Sequence, residues 1–112
     1  MADYTEIDVP DDSEADFAIR VTDTALSPRV RKGQTVTVRR SCELTDGDVG
    51  IFFLDGELSF YQYCEDHLGN VYLLSVNRRY RSRDRMLSRE EGAELVCYGR
   101  VLLDPPVPLP DN

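Results

Sequence analysis

The chain has 112 residues, 41% of them hydrophobic and 30% charged, with a formal net charge of -8 at pH 7. That length supports one domain with one modest core and is too short for two. The acidic balance argues against a domain that grips a phosphate backbone by itself; no apolar run approaches bilayer length and nothing resembles a signal peptide, so a soluble, cytoplasmic protein without membrane contact is expected.

Residues 1–16 carry Asp3, Glu6, Asp8, Asp11, Asp12, Glu14 and Asp16 with no basic residue and little apolar content, which predicts an acidic arm preceding a folded body at 17–103. Phe17 to Thr22 predicts a first strand, and Ser27 to Arg31 a short helical turn. Lys32, the sole lysine, falls in the polar turn Arg31-Lys32-Gly33-Gln34, where a long charged side chain is solvated. In Thr35 to Arg40 the β-branched residues alternate faces, and Val49 to Leu54 is a short apolar run suited to a sheet. Asp55-Gly56 then predicts a tight hairpin turn into Leu58 to Tyr63, because Asp-Gly favours positive φ.

A second turn is expected around His67 to Asn70, returning the chain through Val71 to Ser75. Arg78, Arg79, Arg81, Arg83 and Arg85 form a local basic run, read as a solvated loop balancing the acidic amino terminus. Ser88 is placed to cap a helical turn to Gly92, and Leu95 to Leu103 supplies the last strand. Residues 104–112 are proline-rich, lack most of the N–H groups a sheet needs, and predict an extended tail. Short strands separated by turn signals mean an all-β sandwich or irregular barrel with short helical turns.

Cys42, Cys64 and Cys97 are an odd number at wide spacings, fitting neither a disulfide framework nor a paired zinc motif. All three are expected to be reduced, two of them buried. Cys64 and His67 form a lone C-x-x-H, short of the four ligands of a structural zinc site. No metal and no cofactor is expected.

The stretch Val21-Thr22-Asp23-Thr24-Ala25-Leu26-Ser27-Pro28-Arg29-Val30-Arg31-Lys32-Gly33-Gln34 resembles the nucleophile segment of the LexA-like, self-cleaving serine peptidase domain of phage-type repressors, V-x-G-D-S-M-x-P-x-I-x-x-G-D. Val9-Pro10 with Asp16 to Val21 is similar to that family's V-P...D-F-A-L-R-V, Leu73-Leu74-Ser75-Val76-Asn77-Arg78-Arg79-Tyr80 to its L-L-S-x-N-P-x-Y, and Tyr98-Gly99-Arg100-Val101 to its closing G-x-V strand. The resemblance spans nearly the whole chain and implies a LexA/signal-peptidase-like, mostly-β fold.

The resemblance also implies where chemistry should sit. A serine hydroxyl becomes a nucleophile when a buried, unprotonated lysine takes its proton. Ala25 stands at the serine position, and aligning Glu57 to Gln62 on the family's E-x-T-x-K-R puts Tyr61 at the lysine position. Asp23 replaces a glycine and Thr24 an aspartate. A laboratory substitution changes one residue, so these coordinated departures argue for natural loss. A substitute Ser27/Lys32 pair is disfavoured, since Ser27 suits a turn before Pro28.

The expected protein is therefore a catalytically inactive domain of a transcriptional repressor, with a vestigial cleft at Asp23, Thr24, Ala25, Leu26 and Tyr61. It would act as a homodimer, using Leu95, Val96, Tyr98, Val101 and Leu103, and reach DNA only through a separate helix-turn-helix domain. The alternatives are a module binding an extended peptide in the vestigial cleft, or a laboratory-inactivated self-cleaving serine/lysine peptidase.

Overall fold

In the computed structural model, which describes residues 5–110, the alternating runs become eight strands. They are β1 (Glu6–Ile7), β2 (Phe17–Arg20), β3 (Thr35–Arg39), β4 (Val49–Leu54), β5 (Glu57–Glu65), β6 (Val71–Leu74), β7 (Arg85–Leu87) and β8 (Val96–Leu102). All pair antiparallel in one sheet of order β1-β2-β3-β8-β4-β5-β6-β7. The fold is mostly β, as the patterning and the resemblance imply. Among the described residues no helix is long and apolar enough to cross a membrane.

β4 organises the interior. Ile51 joins the main core with Phe17, Ile19, Val36, Val38, Phe60 and Val101, whereas Phe52 points into a second cluster with Val71, Leu73 and Leu87. Side chains alternate along a strand, so a strand buried on both faces is apolar throughout. That accounts for the run Val49-Gly50-Ile51-Phe52. The β4–β5 hairpin closes at Asp55 (φ 52°) and Gly56 (φ 82°), the left-handed pair of a type I′ turn.

β8 lies between β3 and β4. Its register on β4 shifts between Ile51 and Phe52, which face Gly99 and Cys97 and leave Tyr98 as the extra residue of a bulge. Gly99 is required by proximity: a Cβ there would sit 2.5 Å from Val38 Cγ1 and 2.9 Å from the Arg39 carbonyl oxygen. The displaced Tyr98 ring packs edge-on to Phe17 at 5.8 Å.

The short segments between the strands take three forms. The Ser27 to Arg31 segment is a hydrogen-bonded turn, with Val30 N–H donating to Leu26 O at 2.9 Å and Ser27 N–H to Thr24 O at 3.1 Å. Pro28 has no N–H with which to extend a ladder. Conversely, part of the arginine run forms a 3-10 helix, Arg78–Arg83, whose first turn is capped by the Asn77 side chain. Ser88 caps α1 (Arg89–Ala93) in a capping box with Glu91.

The acidic segment is tied to the body: Glu6–Ile7 pairs with β2, Asp16 Oδ2 accepts from Arg40 N–H at 2.7 Å, and Ala15 is buried. The proline-rich segment also returns to the body. Pro105 O accepts from the Arg29 guanidinium, and Val107 O accepts from Gln62 Nε2 at 2.8 Å. Gln62 is fully buried and donates to Gly47 O as well, so its amide fastens the proline-rich segment and the β3–β4 loop to the core. Residues 1–4, 111 and 112 lie outside the described residues.

The cysteines also differ from expectation. Cys42 and Cys97 form a disulfide across 55 residues of sequence, with Cα atoms 6.0 Å apart, and Cys64 is free. Cys42 is exposed and the other two are half-buried. The pairing arises because the β3–β4 loop returns to β8, a tertiary event that spacing does not encode. Among the described residues, no three His, Cys, Asp or Glu side chains converge as metal ligands.

Glu6 makes β1 sensitive to acid. The Tyr98 hydroxyl and then the Arg40 guanidinium, at 2.6 Å, hold its carboxyl below the ordinary value of 4.5. A depressed folded pKa adds stability above the unfolded value and loses it as pH falls through the folded one. Amide chemical shifts of β1 followed by NMR should therefore show an acid transition below pH 4.5, with β1 leaving β2 on the acid side. Glu6→Gln should abolish that transition.

Candidate functional site

The turn carrying Ala25 is anchored from below. Val21 and Leu26 are completely buried and Val30 nearly so, all in the main core, whereas Asp23 and Ala25 are half-buried and Thr24 is exposed. A loop so placed must satisfy its backbone groups. Buried Asn77 does so: its N–H donates to Ala25 O at 3.1 Å and its Nδ2 to Thr24 O at 2.8 Å, while its Oδ1 accepts from Arg79 N–H at 3.1 Å.

A second set of contacts closes the wall. Thr24 Oγ1 and the Tyr80 hydroxyl are 2.5 Å apart, and Tyr80 O accepts from Ser75 Oγ at 2.9 Å. The Arg83 guanidinium stacks over the Tyr80 ring at 4.7 Å. Asp84 receives Ser75 N–H at 2.7 Å and pairs with Arg78 at 3.0 Å. Arg85 pairs with Asp55 in the hairpin turn at 2.7 Å. Three of the five arginines are thus engaged by neighbours on the same side of the sheet, rather than balancing the acidic amino terminus, whose Glu6 is paired with Arg40.

Between this wall and the first half of β5 lies a cleft of about 390 Å³. Asp23, Ala25 and Tyr61 line it together, with Ser59, Ser75 and Arg83. The fold therefore brings the two aligned positions, Ala25 and Tyr61, to one cavity. Thr24 sits outside the lining, engaged with Tyr80. Leu26 belongs to the core rather than the cleft. Lys32 is exposed in the turn before β3, and Ser27 Oγ turns to Val30 O at 3.5 Å; neither lines the cleft.

The chemistry available there is limited. Ala25 offers a methyl group. Its N–H donates to Asp23 Oδ1 at 3.0 Å, so this backbone donor, of the type that stabilises an oxyanion, is taken by a carboxylate. Burial pushes the Tyr61 phenol up, against the opposing pull of Arg85 and Arg83, and it stays protonated at pH 7. Its hydroxyl donates to Arg83 O at 3.4 Å.

The residues expected at a dimer interface scatter. Val101 is core, Tyr98 and Leu103 pack on the main cluster, and Leu95 packs on the second. Both edges of β8 are already paired, so this strand cannot add to another sheet. Val96 alone is openly exposed, at 55%, and its cross-strand partner on β4 is Phe53, at 48%.

Asn77, Ser75 and Tyr80 lie in the stretch that resembles L-L-S-x-N-P-x-Y, yet their shared role as buttress of the Ala25 turn needs the structure. The amide cap from Asp23 is a local turn bond, two residues apart, of the kind aspartate side chains form. In comparisons with known proteins, a family model described as Peptidase S24-like matches residues 2–101. No curated protein matches the chain.

Asn77→Ala strands the Thr24 carbonyl and the Arg79 N–H. The expected cost is about 2–3 kcal/mol, measured by denaturant unfolding. Faster amide exchange should appear at residues 23–26 and 78–80, with β2 and β3 unaffected below global unfolding.

Proposed function

Because the chain belongs to the Peptidase S24-like family, we propose that it is a catalytically silent member, a regulatory and self-association domain of a cytoplasmic transcriptional repressor. The observation that carries this reading is the Ala25 amide: where the family's nucleophile would stand there is no hydroxyl, and the adjoining N–H is held by the Asp23 carboxylate. Acyl transfer needs a nucleophile, a base and donors for the oxyanion. At Ala25, Tyr61 and Asp23 each is replaced by a group that does something else.

A silent domain remains useful if it joins two copies. Linking two weak DNA-reading domains gives the second a high effective concentration at its half-site. The acidic charge of this chain leaves the DNA contact to a separate helix-turn-helix domain. The exposed Phe53 and Val96, adjacent across β4 and β8, are the apolar pair best placed for a C2 contact. A second reading, capture of an extended peptide, is favoured by the open cleft alongside β5.

Prolonged incubation at alkaline pH, followed by intact-mass measurement, should give no fragments. Ala25→Ser alone should also stay uncut, because Tyr61 cannot take the proton. A specific internal cut in the unaltered chain would overturn the reading.

Sedimentation equilibrium should show dimer at tens of micromolar. Phe53→Glu with Val96→Glu should raise the dimer Kd by about 30-fold or more. A monomer in the unaltered chain would sink the self-association reading, and peptide titration would then decide whether the cleft serves instead.

A further inference from the structure

We propose that Cys42 and Cys97 form a reversible thiol–disulfide exchange site that fixes or frees the loop between β3 and β4. The inference does not rest on peptidase loss or on self-association, although Cys97 adjoins Val96 on β8. Its basis is the unequal setting of the two sulfurs. Cys42 is exposed in an irregular segment, whereas Cys97 is half-buried on β8 and packs against the second core cluster. Their Cα atoms, 6.0 Å apart, lie within the span a disulfide bridges without backbone movement.

The loop has two parts with different attachments. Residues 44–48 are held several ways: Leu44 packs on the second cluster, Gly47 N–H donates to Tyr63 O at 2.8 Å, and Asp46 Oδ1 accepts from Glu65 N–H at 2.9 Å. Residues 41–43 are exposed, and their remaining hydrogen bonds are local, such as Glu43 N–H to Ser41 Oγ at 3.4 Å. Among the described residues, the disulfide is the tie that joins 41–43 to another element. Breaking it releases those residues while 44–48 stay docked.

Access decides the order of events. A low-molecular-weight thiolate attacks the exposed Cys42 sulfur, the protein S–S bond breaks, and Cys97 leaves as a thiolate that takes up a proton. A second small thiolate attacks the small-molecule sulfur of the mixed disulfide, forming one oxidised small-molecule disulfide and releasing Cys42 as a thiolate that takes up a proton. Two small thiols are oxidised as one protein disulfide is reduced to two thiols. The reverse reaction needs an oxidised low-molecular-weight disulfide as the electron acceptor. Cys64 stays out of the exchange, since burial first and then the Asp46 carboxylate push its thiol up, leaving little thiolate.

The test equilibrates the chain in mixtures of reduced and oxidised glutathione, alkylates it, and locates the modified cysteines by peptide mass spectrometry. After unfolding, the oxidised form should show one alkylatable thiol, Cys64, and the reduced form all three, with interconversion in the absence of denaturant. Reduction should lower Tm by about 10 °C and speed amide exchange at residues 41–43 about tenfold.

Cys42→Ser and Cys97→Ser should each reproduce that loosening in oxidising buffer, and Cys64→Ser should leave the response intact. Three alkylatable thiols after oxidation, a bond formed through Cys64, or a Cys42–Cys97 bond reducible only after unfolding would overturn the proposal.

Discussion

Burial of β4 on both faces is the constraint from which the remaining architecture follows. With Ile51 turned into one cluster and Phe52 into the other, the strand needs neighbours along both edges and cover above and below. Fully burying each of these side chains contributes about 1.5–3 kcal/mol, and a register slip by one residue would exchange the two faces. β5 satisfies one edge through a two-residue turn, and β8 satisfies the other from nearly fifty residues away along the chain. The bulge at Tyr98 reconciles that long-range pairing with the core, sending Cys97 to the second cluster and Tyr98 to Phe17.

The same two cores position the cleft. Val21, Leu26 and Val30 anchor the turn from the main cluster, while Tyr61 leans on the second. Between them a polar buttress of Ser75, Asn77, Tyr80 and Asp84 leaves no buried side-chain polar atom unpartnered among the described residues. A fully satisfied network of this kind rigidifies its surroundings. The shape of the cleft therefore rests on groups that take no part in acyl transfer.

Local signals were legible where the physics is local. Asp55-Gly56 specified its turn because few residue pairs tolerate two positive φ angles, and Ser88 with Glu91 specified a helix start through side-chain bonds three residues apart. The β-branched alternation at Thr35 to Arg39 revealed its strand. Ala25 and Tyr61 were found by resemblance, and the fold brought both to one cavity. The acidic and proline-rich ends are attached through distant partners, Glu6 to Tyr98 and Val107 to Gln62, across separations that local composition does not encode.

By itself, the sequence determined strand positions, tight turns, the helix cap and the residue types at the aligned catalytic positions, since each depends on neighbours within a few residues. Tertiary structure decided which cysteines meet, that Leu26 is core rather than cleft, that β8 lies mid-sheet with Val101 inside it, and that Asn77 holds the Thr24 and Ala25 carbonyls. The first two follow from how loops return to the sheet, and the third from strand order. The Asn77 bonds join residues more than fifty positions apart. None of these leaves a periodicity or spacing in the chain, because contacts between distant residues form only when two cores have already placed the backbone.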